Sequence, residues 1–591
     1  MKLVAFLLAL AGTLAADERP NVLFLLSDDQ RADTIAAHGN PHIRTPSLDR
    51  LAARGVSFER AYCFGSNNGA VCVPSRAMIL TGRTLYRTGE GSEIVPLMPR
   101  VFHDAGYRTF ATGKWHNGKA WFNRAFEDGE TIYFGGMGSH TELLVHDYDA
   151  TGAYPQEARR RIESFSSTDF ADAAIGFLEG YQDEEPFFLY VAFTAPHDPR
   201  TPPEDSRYDP DELPLPPNFL PVHPFDNGHM LLRDERLARW PRTPEIVRQH
   251  LADYYGMITQ LDAQVGRILE ALERTGHADD TIVVFTSDHG LAIGSHGLFG
   301  KQNLYEHSMR VPMIVAGPGI PEGGRASAFA YLLDLFPTLC DMTGVEAPAG
   351  VEGMSLAPFL DGSTEGARTY LATAYRHVQR AIRDDRYKLI RYPHLAKTQL
   401  FDLENDPHET KDLSGERGYG ATVARMMREL ERWRREIGDP HPLTRADARP
   451  AVTWNPGATV TADVTGTFAL LPETALIKGE KLLYQPDRRN LGGWSRTQDS
   501  ASWRIVVVTE GEYAVELRYA AAQDGTGYLL GIGATLNHHR TRSTGGLMSY
   551  RSEHLGTLRL TAGDHKVFIT PAESFEGVFM NYRGLWLRPV Q

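Results

Sequence analysis

Cysteine is scarce: three residues in a chain of 591, which excludes a disulfide framework and any cysteine-rich zinc site. Net positive charge is lacking too. Lys and Arg number 61 against 75 Asp and Glu, a net charge of −14, so the chain has no general basic footprint for nucleic acid. An anionic substrate would need a local cationic pocket working against that field. No internal repeat and no low-complexity tract is present. What remains is ordinary for a soluble protein with large cores: 42% hydrophobic and 23% charged residues, with length for more than one domain.

Lys2, the apolar stretch Leu3 to Leu14 and the small residues of Thr13-Leu14-Ala15-Ala16 form a three-part secretion signal over residues 1–16. Its core falls short of the about 20 apolar residues that cross a bilayer. No cysteine follows for lipid attachment, so the expectation is export to the periplasm or beyond without a stable membrane anchor.

Up to about residue 445, short β-branched or aromatic runs alternate with helical stretches, which predicts an α/β fold around a mostly parallel sheet. The strands are expected at Asn21–Leu26, Arg108–Ala111, Phe187–Ala192 and Thr281–Phe285, nearly continuously apolar as strands covered on both faces are. Thr45-Pro46 reads as a cap and first turn of a helix, and further helices are expected near 169–179, 254–274 and 423–436. From 455 to 591 the text becomes strand and turn, predicting a separate β-sandwich that is expected to bind carbohydrate. In it, Leu555–Leu560 and Val567–Ile569 read as a hairpin about Ala562-Gly563-Asp564.

Ligands in open parallel sheets bind beyond the carboxyl ends of the strands. Four polar clusters fall there: Ser27-Asp28-Asp29, Gly113-Lys114-Trp115-His116, Thr194-Ala195-Pro196-His197-Asp198 and Ser287-Asp288-His289-Gly290. Adjacent carboxylates are costly unless a cation neutralises them. Any one cluster alone is commonplace as a turn or a structural histidine; four at equivalent positions are not.

The segment Cys72-Val73-Pro74-Ser75-Arg76, followed by Thr81-Gly82-Arg83, matches the sulfatase signature throughout. The chain resembles the formylglycine-dependent sulfatases of the alkaline-phosphatase-like superfamily. The likeness extends over residues 20 to about 415, including Leu400-Phe401-Asp402-Leu403-Glu404-Asn405-Asp406-Pro407. It implies that a maturation enzyme oxidises Cys72 to formylglycine, whose hydrate attacks sulfur, expels the alcohol, and later releases sulfate as the aldehyde reforms. It further implies Asp28, Asp29, Asp288 and His289 as metal ligands. Oxygen-rich ligation favours Ca2+ first and Mg2+ second, and His289 stands where many members carry Asn.

By the same resemblance Arg76 holds the nucleophile's oxygens, Lys114 and Lys301 bind the sulfate, His116 assists deprotonation of the diol, and His197 protonates the departing alcohol. Cys63 and Cys340 fit none of these roles and read as buried thiols, a bridge between them being the alternative. Arg200, His307, Trp115 and His140, together with the insertion 202–245, are candidates for the alcohol side of the pocket. A sulfated saccharide is the expected substrate, because choline or aryl sulfates need no appended module. The rivals are a phosphoester hydrolase of the same superfamily, expected to hold two metals, and an inactive secreted glycan-binding protein.

Overall fold

The computed structural model describes residues 19–590, apart from 90–94, 226, 231, 239–240, 445–455, 463–464 and 486–487. The expected secretion signal and the junction near 445–455 lie outside the described residues. Eight strands build the central sheet: β1 (Asn21–Ser27), β2 (Gly55–Phe58), β3 (Arg108–Lys114), β4 (Asp128–Tyr133), β5 (Phe187–Ala192), β6 (Thr281–Ser287), β7 (Met313–Ala316) and β8 (Gly324–Ala326). Their spatial order is β8-β2-β7-β6-β1-β5-β3-β4, and only β7 runs antiparallel to its neighbours. The helices that matter here are α1 (Pro46–Ala53), α2 (Cys72–Thr81), α3 (Ser166–Gly180) and α4 (Pro244–Arg274).

The apolar run of β1 divides by strand alternation between two cores. Val22, Phe24 and Leu26 pack with Met78 and Ile79 of α2. Leu23 and Leu25 pack with Leu178 of α3 and with Met257, Leu261 and Val265 of α4. Burial on both faces is why the run is continuous rather than alternating.

Thr45 does not cap α1 as expected. Its hydroxyl instead accepts from the Ala36 amide and donates to Asp49. The amides of Ser47 and Leu48 go to the Asp262 carboxylate of α4, at 3.0 and 2.7 Å. A carboxylate serves two orphan donors and the positive helix end at once, which a hydroxyl cannot.

After the central sheet, four antiparallel strands, β9 (Leu371–Tyr375), β10 (Gln379–Arg383), β11 (Tyr387–Tyr392) and β12 (Lys397–Asp402), lie against helix α5 (Gly420–Glu436). Met426 and Leu430 of α5 bury onto Ile382, Leu389 and Leu400. The C-terminal region is a two-sheet sandwich. One sheet contains β13 (Ser500–Val507), β15 (Gly527–Ile532), β16 (Thr535–Arg540) and β18 (Gly563–Pro571); the other contains β14 (Gly511–Ala520), β17 (Arg551–Leu560) and β19 (Asn581–Pro589).

The expected hairpin is not formed. β17 pairs with β14, whereas β18 pairs with β13 and β15, so the turn after Leu560 crosses from one sheet to the other. Leu558 and Leu560 on one side, and Val567 and Ile569 on the other, then enter the core from opposite sheets. A local turn signal carries no information about which ladder each strand joins. Cys63 and Cys340 are buried free thiols, as expected of the first reading, and no bridge joins them.

Candidate active site

Helix α2 begins at Cys72, with Pro74 in its first turn, and directs its amino end at the carboxyl edge of the sheet. Ser75 Oγ donates to the Asp288 carbonyl at 2.6 Å, tying the helix to the end of β6. Arg76, wholly buried, donates from Nε to Asp288 Oδ2 at 3.0 Å and from Nη1 to the Lys114 carbonyl at 2.7 Å. One guanidinium thus fastens α2 to the ends of both β6 and β3. Its fork geometry makes lysine a poor substitute.

All ten residues read from the sequence as catalytic or metal-binding candidates meet here. Lys114 Nζ bonds to Asp28 Oδ2 and, at 2.7 Å, to the Gly136 carbonyl. Lys301 Nζ lies 2.9 and 3.1 Å from the two oxygens of Asp29 and 3.4 Å from Cys72 Sγ. His289 Nδ1 donates to the Gly290 carbonyl at 3.0 Å, and its Nε2 stands 3.1 Å from Asp29 Oδ1. His197 Nδ1 donates to the Asp198 carbonyl at 2.8 Å, and its Nε2 stands 3.9 Å from Asp29 Oδ2. Asp29 and His116 both adopt left-handed backbone, with φ of 69° and 68°. Such strain costs on the order of 1–3 kcal/mol for a non-glycine residue and persists where surrounding contacts over-determine it.

The donor set suits a cation. Ligand atoms of Asp28, Cys72, Asp288 and His289 lie within 4.8 Å of one another, as do those of Asp28, Asp29, Cys72 and His197. Asp28 Oδ1 and His289 Nε2 are buried with no hydrogen-bond partner. Unpartnered buried polar atoms of this kind at the centre of a carboxylate cluster are what a divalent ion satisfies, displacing a proton from the imidazole.

Electrostatics follow from the crowding. Burial pushes the Asp29 carboxyl up, but Lys301 and His289 outweigh it and hold it below its ordinary value. Burial disfavours charge on His289, yet Asp288 and Asp29 raise it to about 9. His197 is pressed well below its ordinary value by burial and then by Lys301. His116 falls to about 3 by burial and the charges of Lys114 and Arg76.

Above the cluster a cavity of about 320 Å³ opens, walled by Cys72, His116, Gly136, Met137, His197, Arg233, Asp234, Lys301 and Gln302. The insertion expected at the alcohol side does reach it, through Arg233 and Asp234. Arg233 bridges to Asp198 at 2.9 Å, and Asp234 accepts from Gln302 at 2.7 Å. The four individual candidates for substrate contact do not line this cavity. Trp115 is core, packed on Phe122 and Phe126 with its indole donating to the Gly118 carbonyl. His140 lies behind the site, where its Nε2 donates to the His197 carbonyl at 2.9 Å. His307 is buried beside His296, and Arg200 lies against Tyr254.

Sequence reading also missed Glu235. Its carboxylate takes the amides of Phe299 and Gly300 and pairs with Arg242 at 2.6 Å, anchoring the loop that carries Lys301. Gly300 has to be glycine, since a Cβ there would stand 2.4 Å from Gln302 Oε1 and 2.9 Å from Asp234 Cβ. Nothing in the local sequence marks Glu235, because the two amides it holds lie more than sixty residues away.

The fold and site together define the alkaline-phosphatase-like class of α/β hydrolases. The sulfatase family profile matches residues 20–345, and one described as N-sulphoglucosamine sulphohydrolase, C-terminal, matches 294–436. The chain belongs to the sulfatase family and is a hydrolase of sulfuric esters. An N-acetylglucosamine-6-O-sulfatase of Bacteroides thetaiotaomicron is 27% identical over 504 residues, covering 72% of this chain and 88% of that protein. A choline-sulfatase of Rhizobium meliloti is 30% identical, covering 67% of this chain and 82% of its own. A solved sulfatase-fold structure in complex with its substrate D-glucosamine-2-N,6-O-disulfate superposes with a TM-score of 0.61 at 25% identity, over 72% of this chain and 99% of the other.

Proposed function

We propose that this chain is an exported sulfatase acting on sulfated saccharides, with a catalytic unit over 17–445 and an appended sandwich over 455–591. The observation that carries the reading is the position of Cys72. Its Sγ lies at a helix amino end, among three carboxylates and 3.4 Å from Lys301 Nζ, inside an unbroken maturation signature.

Asp28, Asp29, Asp288 and His289 would hold a divalent cation, Ca2+ before Mg2+ given three carboxylates. When bound, the ion would supply positive charge to the nucleophile and to a sulfate oxygen. Both metal-compatible groupings among the described residues share Asp28 and Cys72 and so form one centre, which supports a sulfatase over a two-metal phosphoesterase. Cys72, converted to formylglycine, provides the nucleophilic oxygen. Arg76 keeps α2 and the carboxylates in register, and Lys114 and Lys301 offer ammonium groups to the sulfate. His116, neutral at working pH, is suited to take a proton from the diol. His197 presents Nε2 to the cavity and delivers a proton to the leaving alcohol. The negative charge of an incoming sulfate ester raises its proton affinity at that moment.

The saccharide assignment draws on the relatives' substrates and on the polar side chains of Arg233, Asp234 and Gln302 in the cavity wall, which can hydrogen-bond a hydroxyl-rich leaving group. The test combines peptide mass spectrometry at residue 72 with turnover of a panel of sulfated mono- and oligosaccharides. Aldehyde at 72 with saccharide desulfation is the expected result. Full activity with an unmodified thiol overturns the mechanism, and turnover of aryl sulfates alone overturns the substrate.

A further inference from the structure

The outward face of the sheet β19-β14-β17 carries a cluster with no place in the catalytic reading. Residues alternate across a strand. Tyr513, Val515, Leu517 and Tyr519 are buried in the sandwich, so Glu516 and Arg518 between them face out. The register sets Arg518 beside Gly584 of β19 and Ser552 of β17, and Glu516 beside Trp586 and His554. Of the aromatic residues in this region, Tyr484, Trp494, Trp503, Tyr519, Tyr528 and Tyr582 are buried. Tyr550 and Trp586 are partly exposed.

The missing side chain at Gly584 lets the Trp586 indole lie down on the sheet, since a Cβ there would stand 2.6 Å from the ring. The Arg583 guanidinium sits 4.3 Å over the Tyr550 ring, and Arg488 and Arg518 bring their charges to the same tyrosine. None of these three guanidinium groups has an ion pair or hydrogen bond among the described residues. Nearby carboxylates are already engaged: Glu516 by Arg588 at 3.4 Å, and Glu553 by Tyr519 and Arg542. Three arginines without an ion pair gather around Tyr550, and one of them, Arg518, stands opposite Gly584, over which the partly exposed Trp586 indole lies, a positive patch in a chain of net charge −14.

We propose that this face binds an anionic polysaccharide, with Trp586 stacking on a sugar ring and Arg488, Arg518 and Arg583 holding its sulfate or carboxylate groups. The inference rests on the reading of the substrate as a sulfated saccharide. A polymer held here has a raised effective concentration at the catalytic cavity of the same chain.

The test is affinity electrophoresis of the full chain through gels containing dextran sulfate, with unsulfated dextran and single-stranded DNA as comparison matrices. Trp586→Ala and the double variant Arg518→Ala/Arg583→Ala should each weaken retention by dextran sulfate about tenfold, the equivalent of losing one stacking ring or a charge-assisted pair. Trp586→Phe should keep most of it, and melting curves check that each variant folds. Turnover of nitrophenyl sulfate should stay within about twofold of the parent, since no residue of the catalytic cluster is touched. Unchanged retention of the variants, no retention of the parent by dextran sulfate, or equal retention by DNA would overturn the proposal. Should the retention pattern hold while no sulfate ester is turned over, the catalytic reading fails and the binding face stands.

Discussion

Glu235→Ala should damage the catalytic loop without touching any group in the cavity. Glu235 Oε1 accepts from the Phe299 and Gly300 amides at 3.0 and 2.8 Å, and Oε2 from Arg242 at 2.6 Å. The Arg242 side chain is fully buried and that of Glu235 nearly so. Breaking a buried pair costs about 3–5 kcal/mol, because the surviving charge stays desolvated. Each buried amide left without a partner adds about 1–3 kcal/mol unless water reaches it. Arg242 keeps the carbonyls of Glu235 and Gly297, so the lower end of each range applies and about 5 kcal/mol is expected in all. Glu235→Gln keeps the shape and one acceptor, and should cost about half as much. The assay pairs urea unfolding of both variants with steady-state turnover of an aryl sulfate. Stability should fall in the order parent, Gln, Ala, and KM should rise as the Lys301 loop loosens. An alanine variant as stable as the parent, or one destabilised with an unaltered KM, would refute the claim that this carboxylate positions the loop.

Two further outcomes are expected. His197→Ala should slow alkyl and sugar sulfates by about 10²–10⁴-fold, the usual worth of general acid catalysis, while nitrophenyl sulfate, which needs little protonation, suffers far less; equal losses in competition assays remove His197 from that role. Asp262 is held up at about 6 chiefly by burial, against an ordinary 3.8. A raised carboxyl means the folded state binds its proton more tightly, so stability is greatest below the unfolded value and declines as pH rises from about 4 to 6. The difference of about 2 units corresponds to about 3 kcal/mol. Urea titrations across that window should show the decline in the parent and lose this component in Asp262→Asn; a variant with the parent's slope contradicts it.

The candidate cluster was legible because most of its parts are local strings at strand ends. Asp28-Asp29, Lys114, His197 and Asp288-His289 each follow an apolar run, and a parallel sheet brings such ends to one edge whatever lies between them. Cys72 was legible for another reason, a contiguous signature in one helix turn. The cavity wall was not. Arg233 and Asp234 come from a proline-rich insertion whose path depends on what it packs against, and Trp115, adjacent to two site residues, turned into the core. A residue's side of the backbone depends on twist and neighbours, which a string of letters does not carry.

By itself, then, the sequence determined the fold class and, through the α2 signature and the resemblance it carries, the family and ten candidate site residues. Tertiary structure alone decided that Asp262 rather than Thr45 caps α1, that Glu235 anchors the Lys301 loop, and that β17 and β18 belong to different sheets. Each of these is a partnership between groups far apart in the chain, or a choice among competing ladders. It is settled by which arrangement leaves the fewest buried polar groups unpaired and the most apolar surface covered.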